Sequence, residues 1–193
     1  MFLAVKRLYI KLPKNIALHS KRVAIFSYIL AKQIKLSAAD CQTVYWGGLL
    51  HDIGKSMIHP GILYKKEKLT EAEFAEIKRH CRYGVDIVKN IKDVEPVIPI
   101  IQYHHEHWNG SGYYGLQKHQ IPLGARIVSI ADAFDAMTSY RSYQATRKKE
   151  DALAEIMRCS NTQFDPCLVN HFIEVYALFN CYLDDHVKFV NFI

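Results

Sequence analysis

The sequence predicts an all-α protein, a bundle of about seven helices. Apolar residues recur at intervals of three and four along most of the chain, which is the spacing of one buried helix face. No segment shows the sustained alternation of apolar and polar residues that is typical of strands. Capping residues or glycines separate the periodic stretches, so we expect the helices to be joined by short loops.

Four helices are predicted in the first part of the chain, and local signals mark several of their ends. Ser37 and Thr70 each start a pattern that is typical of a helix N-terminal cap. Gly54 supplies a stop for the second helix, and Pro96 is tolerated in the first turn of the fourth. These four helices are expected over residues 16–35, 37–52, 70–88 and 96–104.

Three more helices are predicted after a loop that contains two glycines at residues 109–112. They are expected over residues 121–139, 150–158 and 167–180. No internal repeat, low-complexity segment or linker interrupts the chain, so residues 1–193 are expected to form a single domain. Its motifs lie between about residues 15 and 180, and residues 181–193 form a C-terminal tail.

Composition narrows the class of protein. The net charge of +6 favours anionic ligands, but a solvated surface rich in lysine explains it equally well. Five scattered cysteines without a C-x-x-C pair argue against disulfides and a thiolate zinc site, and indicate a reduced, cytoplasmic protein. No block of like charges suggests nucleic-acid binding, and no apolar run suits a signal peptide or a membrane span.

Side chains that can bind metals recur on five successive predicted helices, at intervals of about one helix plus its loop. A bundle folded around one interior point would bring them together, as in metal sites built from facing helices. Taken singly, a histidine on an apolar helix face is more often a hydrogen-bonded core residue, and Asp132 could equally pair with Arg126. The candidate ligands are His19, His51, Asp52, His80, His104, His105 and Asp132.

Two of these candidates are adjacent pairs, His51–Asp52 and His104–His105, and each pair precedes a turn that contains glycine. Neighbours on a helix point about 100° apart, so one small cation rarely binds both, whereas two cations a few ångström apart can. Imidazole and carboxylate without thiolate suit iron, manganese, nickel, cobalt or zinc, and do not suit calcium; magnesium is less natural. We therefore predict a site for two divalent transition metals.

The motifs in this order resemble the HD-GYP domain, a subset of the HD phosphohydrolase superfamily. The likeness runs from about His19 to Asp165 and Pro166, which is most of the chain. An HD pair alone is unspecific, but the ordered set is highly specific. It comprises HDIGK at 51–55, His80, HHE at 104–106, GSGY at 110–113, ADAFDAMTS at 131–139, Arg141 and TQFDP at 162–166.

The resemblance implies an HD-domain helical bundle around a central metal site. It implies hydrolysis of cyclic di-GMP, a bacterial second messenger, to linear pGpG or GMP by a centre of two or three metals, often iron or manganese. The seven candidate ligands above would bind the metals, with Asp52 bridging them. Lys55 and Arg141 would reach the phosphate, so Asp52 and Lys55 are the predicted catalytic residues.

A hydroxide held between the two cations is the predicted nucleophile, because metal binding brings the pKa of water toward neutrality. Lys55 would bind a phosphate oxygen or assist the leaving 3′-oxygen, and Arg141 would clamp a phosphate. Gly112 and Tyr113 are predicted substrate contacts in a loop that forms one wall of the nucleotide pocket, although Tyr113 could equally be a core residue. Glu106 is expected to orient a ligating histidine.

Three departures from the family pattern bear on function. Gly-Tyr-Pro reads Gly-Tyr-Tyr at residues 112–114, in the loop through which a signalling protein could bind. Asn15 stands where three-metal members carry a carboxylate, so two metals are expected. Gln144 stands where an arginine is common, so one basic substrate contact is missing and turnover is expected to be slow.

Three functions therefore compete. The first is an active cyclic di-GMP phosphodiesterase, which the intact ligand set favours. The second is a cyclic-dinucleotide binding or interaction module that keeps the metals and has lost turnover, which the GYY loop and Gln144 favour. The third is an HD hydrolase for another nucleotide, such as a different cyclic dinucleotide or a nucleoside phosphate.

Overall fold

The structure of the protein is a computed structural model, and it describes residues 2–10, 12–139 and 147–184. Within these ranges all regular structure is helical and no β-strand occurs, which confirms the all-α prediction. Ten α-helices are present in them: α1 (Phe2–Tyr9), α2 (Lys14–Gln33), α3 (Ala38–Leu50), α4 (Pro60–Leu63), α5 (Glu71–Lys78), α6 (His80–Val88), α7 (Ile98–Tyr103), α8 (Leu123–Thr138), α9 (Lys149–Arg158) and α10 (Pro166–Asp184). Three short 3-10 helices span Ile53–Met57, Glu95–Val97 and Lys118–Gln120.

The helix predicted over residues 70–88 is two helices, α5 and α6, which meet at Arg79. The Arg79 amide donates to the carbonyl three residues earlier at 3.0 Å, and the Ile77 carbonyl accepts from Nδ1 of His80 at 2.7 Å. These bonds tighten the last turn of α5 and interrupt the regular ladder. The apolar spacing continues across the break, so periodicity alone predicted one helix. The helices α1 and α4 were not predicted either.

The predicted N-terminal caps are present. The hydroxyl of Ser37 accepts from the Asp40 amide at 3.1 Å at the start of α3. Thr70 and Glu73 form a reciprocal capping box at the start of α5. Each cap satisfies amides that have no partner inside the helix, so the start of each helix is encoded locally.

The long helices α2, α3 and α8 pack on one another and form the centre of the bundle. Phe134 on α8 makes edge-to-face contacts with Phe26 of α2 and Phe172 of α10, with ring centroids 5.7 and 5.3 Å apart. A second buried cluster lies around Leu50 of α3 and Ile101 of α7. The two clusters hold the helices whose ends carry the polar residues described below.

The close approach of the 3-10 turn after α3 to the backbone of α6 requires glycine at position 54. A Cβ atom on Gly54 would lie 1.9 Å from the carbonyl oxygen of His80 and 2.4 Å from the amide of Gly84. No side chain fits in that space, so the turn can pack directly against α6 only with glycine. This contact brings the Asp52 end of α3 next to His80.

None of the helices in the described part of the chain combines the length and the apolar character needed to cross a lipid bilayer.

Candidate metal centre

The seven candidate ligands come from five parts of the bundle that the fold brings together. Two lie inside helices, His19 in α2 and Asp132 in α8. The others lie at helix ends: His51 and Asp52 follow α3, His80 begins α6, and His104 and His105 follow α7.

One group of ligand atoms belongs to Asp52, His80, His104 and His105. Each residue offers one atom, and all four atoms lie within 4.8 Å of one another. Nε2 of His80 lies 3.4 Å from Oδ1 of Asp52 and 3.4 Å from Nε2 of His104. His80, His104 and Asp52 are buried and His105 is partly exposed, so the group lies inside the protein with one open side.

A second group belongs to His19, His51 and Asp52, whose ligand atoms also lie within 4.8 Å of one another. Asp132 lies beside this group, because its Oδ1 is 3.0 Å from Nε2 of His19 and 3.9 Å from Nε2 of His51. The mixture of imidazole and carboxylate is the ligand type predicted from the sequence.

Asp52 is common to both groups, and its two oxygens point to different ones. Oδ1 lies 3.4 Å from Nε2 of His80. Oδ2 lies 3.3 Å from Nε2 of His51 and 3.7 Å from Nε2 of His19. A carboxylate with one oxygen in each group is the arrangement that a bridging ligand of two cations needs.

Backbone hydrogen bonds orient three of the histidines. Nδ1 of His51, His80 and His104 each bonds to the carbonyl three residues earlier, at 2.7, 2.7 and 2.9 Å. A carbonyl only accepts, so Nδ1 carries the proton and Nε2 keeps its lone pair. A metal-binding histidine usually donates its other ring N–H in this way, which fixes the tautomer and the ring orientation.

His19 is oriented by a carboxylate that the sequence analysis did not single out. Nδ1 of His19 lies 2.6 Å from Oδ2 of Asp135. Nε and Nη2 of Arg22 in turn bond the two Asp135 oxygens, at 2.5 and 3.0 Å. Asp135 lies three residues after Asp132 on α8, so this helical spacing is the signal that could have identified it.

Two buried atoms of the site have no hydrogen-bond partner among the described residues. They are Nε2 of His51 and Oδ1 of Asp52. A buried polar atom without a partner costs roughly 1–3 kcal/mol, and each of these atoms belongs to one of the ligand groups. The residues therefore fit a pair of divalent cations, which would satisfy both lone pairs.

Burial and neighbouring charges shift the pKa values of the site. Burial would raise the pKa of Asp52, but Lys55 and His51 hold it well below its usual range. Burial lowers the pKa of His104 well below its usual range and that of His105 to about 3. These groups are therefore in the forms that bind metals, an ionised carboxylate and neutral imidazoles.

His19 differs from His80, His104 and His105, because a proton binds it strongly when no metal is present. Burial lowers its pKa, but hydrogen bonds to Asp132 and Asp135 outweigh burial and raise the pKa to about 9. A cation bound by His19 and Asp132 therefore has to displace a proton at neutral pH.

Of the two predicted phosphate-binding residues, Lys55 and Arg141, the structure describes only Lys55. The ammonium of Lys55 lies 2.6 Å from Oδ2 of Asp52, so a positive charge stands beside the shared carboxylate. Arg141 and Gln144 lie outside the described residues.

Asn15 is exposed one turn before His19 on α2, so the expected count of two metals stays a prediction.

The loop after the paired histidines packs on their backbone. A Cβ on Gly112 would lie 2.5 Å from Cα of Glu106 and 2.8 Å from the carbonyl oxygen of His105, so the close approach requires glycine. The side chain of Tyr113 lies against His105, with ring centroids 4.7 Å apart and planes tilted by 35°. Tyr113 thus lies next to one group of candidate ligands, and its role as a wall of the substrate pocket stays a prediction.

The predicted role of Glu106 is corrected by its hydrogen bonds. Its two carboxylate oxygens accept from the backbone amides of Tyr114 and Leu116, each at 2.6 Å. The buried carboxylate therefore anchors the loop, where we had expected it to orient a ligating histidine. The sequence shows Glu106 next to the histidine pair but does not show that the loop folds back over it.

Comparisons with known proteins agree with this architecture. The chain belongs to the HD domain family, whose family model matches residues 8–168. It is 36% identical over 159 residues to 3′3′-cGAMP-specific phosphodiesterase 2 of Vibrio cholerae, a match that covers 81% of this chain and 30% of that protein. It is 35% identical over 165 residues to a cyclic di-GMP phosphodiesterase of Thermotoga maritima, covering 81% of this chain and 44% of that one.

A solved structure shares the fold. Bd1817, an HDG"Y"P protein from Bdellovibrio bacteriovorus, superposes with a TM-score of 0.69 at 24% identity, covering 84% of this chain and 52% of that one. The family match and the names of the relatives confirm the resemblance to HD-GYP proteins. The chain spans less than half the length of the two relatives above.

Proposed function

We propose that the chain is a metal-dependent phosphodiesterase that hydrolyses cyclic dinucleotides, with cyclic di-GMP as its substrate and pGpG, GMP or both as products. One observation carries this proposal: two groups of ligand atoms share the carboxylate of Asp52. The relatives named as cyclic di-GMP and cGAMP phosphodiesterases support the substrate class.

The chain's own residues provide places for two divalent cations. His80, His104 and His105 with one oxygen of Asp52 would hold one, and His19, His51 and Asp132 with the other oxygen would hold the second. Iron or manganese suits these ligands best, with zinc, nickel or cobalt as alternatives. When bound, the pair would supply a water nucleophile at neutral pH and neutralise charge on the phosphate.

The reaction adds water to one phosphodiester. A new bond forms between the water oxygen and phosphorus, the bond from phosphorus to the 3′-oxygen breaks, and the 3′-oxygen leaves with a proton as a hydroxyl group. Lys55 stands beside Asp52, so its ammonium can bind a phosphate oxygen or stabilise the leaving 3′-oxygen as a point charge. Arg141 is proposed as a second phosphate contact.

The loop at residues 109–116 would form one wall of the substrate pocket. The ring of Tyr113 lies on His105, and Glu106 holds the backbone of the loop from beneath. A rigid aromatic wall beside the metals would limit how the nucleotide enters and would exclude part of the water. The same loop, with Gly-Tyr-Tyr at residues 112–114, is the proposed contact for a signalling protein.

A second candidate is hydrolysis of the mixed cyclic dinucleotide. The relative with 36% identity is named for 3′3′-cGAMP, so both cyclic dinucleotides belong in the test. The candidate ligands would hold cations that meet phosphate and water, so they would not distinguish guanine from adenine. A binding module without turnover and an HD hydrolase of a nucleoside phosphate are the remaining alternatives.

The test is a comparison of turnover and metal content. The purified chain is loaded with Mn²⁺ or, without oxygen, with Fe²⁺, and is incubated with cyclic di-GMP, 3′3′-cGAMP and a nucleoside monophosphate. We expect about two metals per chain and linear product from a cyclic dinucleotide, and loss of product in Asp52→Ala. Tight binding of cyclic dinucleotide without product would favour the binding module, and product from the monophosphate alone would favour another HD hydrolase.

A further inference from the structure

An exposed aromatic ring and a lysine stand together on α5, beside the metal centre. Phe74 is 46% exposed, so part of its ring surface is open to a ligand. The ammonium of Lys78 lies one helical turn further on and stands over the Phe74 ring, 5.0 Å from its centroid. We call these two residues the α5 shelf.

Tyr113 connects the shelf to the candidate ligands. Its ring lies edge-to-face with Phe74, with centroids 6.5 Å apart, and the Lys78 ammonium lies 5.1 Å from its centroid. The other neighbour of Tyr113 is His105, with centroids 4.7 Å apart. The shelf is therefore separated from a candidate metal ligand by a single ring.

Among the described residues, no carboxylate neutralises the charge of Lys78. No carboxylate of the described residues lies within 4 Å of its ammonium, and two of the three acids on α5 are paired elsewhere: Glu73 with Lys65, and Glu76 with Arg79. An ammonium over two aromatic rings and without a carboxylate can accept an anion. It lies at the rim of a site that already suits phosphate.

A second lysine that stands over an aromatic ring, on α2, allows a comparison with the α5 shelf. Lys32 stands over the ring of Tyr28 at 5.9 Å on α2, also one turn apart. Such a pair is common on helix surfaces and needs no ligand. At the shelf, a second ring is supplied by a separate loop, and that ring contacts a candidate ligand, so the arrangement depends on tertiary structure.

We propose that the α5 shelf binds the half of the cyclic dinucleotide that is not cleaved. Lys78 binds the second phosphate, and the exposed face of Phe74 stacks on the adjacent purine. A cyclic dinucleotide carries two phosphates and two purines in one ring, so a phosphate at the metals leaves the other half a few ångström away. Stacking of a base on an aromatic side chain and pairing of phosphate with an ammonium are the interactions that such a half requires. This inference rests on the proposed function.

The test uses two substrates of different size on the metal-loaded chain. Cyclic di-GMP reaches the shelf, whereas bis(p-nitrophenyl) phosphate has a single phosphate, no purine and no second half. The variants are Phe74→Ala, Lys78→Met and Lys78→Arg, and the last keeps the positive charge. Lys32→Met serves as the matched control for a lysine over a ring, and Met157→Ala as the control for an exposed apolar residue on α9.

We expect Phe74→Ala and Lys78→Met each to raise the KM for cyclic di-GMP roughly 10-fold, with kcat/KM for bis(p-nitrophenyl) phosphate and metal content unchanged. Lys78→Arg should stay close to the unmodified chain, as should both controls. An unchanged KM would overturn the shelf and leave the proposed function intact. An equal loss on both substrates would also overturn it, because the variants would then act through the metal centre. Failure of the unmodified chain to cleave cyclic di-GMP would overturn both proposals.

Discussion

Nδ1 of His19 donates a hydrogen bond to Oδ2 of Asp135 at 2.6 Å, and Nε2 of the same ring faces Asp132 at 3.0 Å. Asp135 is itself held by two hydrogen bonds from Arg22. The orientation of one candidate ligand thus depends on a charged pair behind it. Such outer carboxylates set the tautomer of a metal-binding histidine and increase its basicity.

Asp135→Asn is expected to weaken one of the two cation sites. The substitution keeps the shape of the side chain but removes the charge that holds His19, and loss of such a contact typically costs 10- to 100-fold in metal affinity. Mn²⁺ titration followed by metal analysis should show about two ions bound in the unmodified chain and about one in the variant at low metal concentration. Asp86→Asn, which changes an exposed acid on α6, is the control. Equal Mn²⁺ affinity in both variants would contradict the role of Asp135.

Removal of metal is expected to lower the thermal stability. The buried lone pairs of His51 and Asp52 have no hydrogen-bond partner among the described residues, and a cation satisfies them only in the folded state. At a metal concentration 100-fold above Kd, each occupied site stabilises the fold by about 2.7 kcal/mol. For a chain of this size that corresponds to a rise in Tm of roughly 5–10 °C. Differential scanning calorimetry of the metal-free chain, with and without added Mn²⁺, measures this rise in Tm.

The rise in Tm depends on the shared carboxylate. Asp52→Asn removes the negative charge that both cation sites use, so the variant should show little or no rise in Tm with Mn²⁺. A rise equal to that of the unmodified chain would show that the cations bind elsewhere.

Acid is expected to destabilise the metal-free chain below about pH 6.5. Burial lowers the pKa values of His80, His104 and His105, the last to about 3, so these rings stay neutral in the folded state. In the unfolded chain they take up protons near pH 6.5, so acidification favours unfolding. Each histidine contributes about 1.4 kcal/mol per pH unit between pH 6.5 and its own pKa in the folded state.

His19 acts in the opposite direction. Its pKa of about 9 in the folded state lies above the unfolded value, so it stabilises fully below about pH 6.5 and loses that effect as pH rises through 9. Urea unfolding of the chelated chain should therefore show stability that rises from pH 8 to about pH 6.5, where His19 acts, and falls from there to pH 5, where the other three rings act. His104→Gln should reduce the slope below pH 6.5, and an unchanged slope would contradict the assignment.

Glu106→Gln is expected to loosen the loop that carries Tyr113. The carboxylate accepts two short amide hydrogen bonds while buried, and an amide side chain places an NH₂ group opposite one of those N–H donors. We expect a loss of roughly 2–3 kcal/mol in the free energy of unfolding. Hydrogen exchange at the amides of Tyr114 and Leu116 should become faster.

Glu95→Gln, an exposed position, is the matched control for Glu106→Gln. Protection of the Tyr114 and Leu116 amides that is unchanged in Glu106→Gln would rule out the anchoring role. Metal content should stay the same in both variants, because neither residue belongs to the candidate ligands.

Local signals in the sequence determined much of the fold. The caps at Ser37 and Thr70 are present because they depend only on residues three positions apart. The break at Arg79 was missed because the apolar spacing continues through it. It depends on a hydrogen bond from the His80 ring, which no periodicity reveals.

The chemical types of the candidate ligands were also readable from the sequence, since imidazole and carboxylate groups recur once or twice per helix. Their partners were not. In the sequence Asp135 is one residue of a longer motif, and only the packing of α2 on α8 shows that it contacts His19. The sequence predicted a histidine as the partner of Glu106, whereas the structure shows that its partners are amides of the following loop. The identity of a ligand is a property of the residue, and the sequence by itself determined it. Which group orients that ligand depends on distances between helices far apart in the chain, and only tertiary structure decided it.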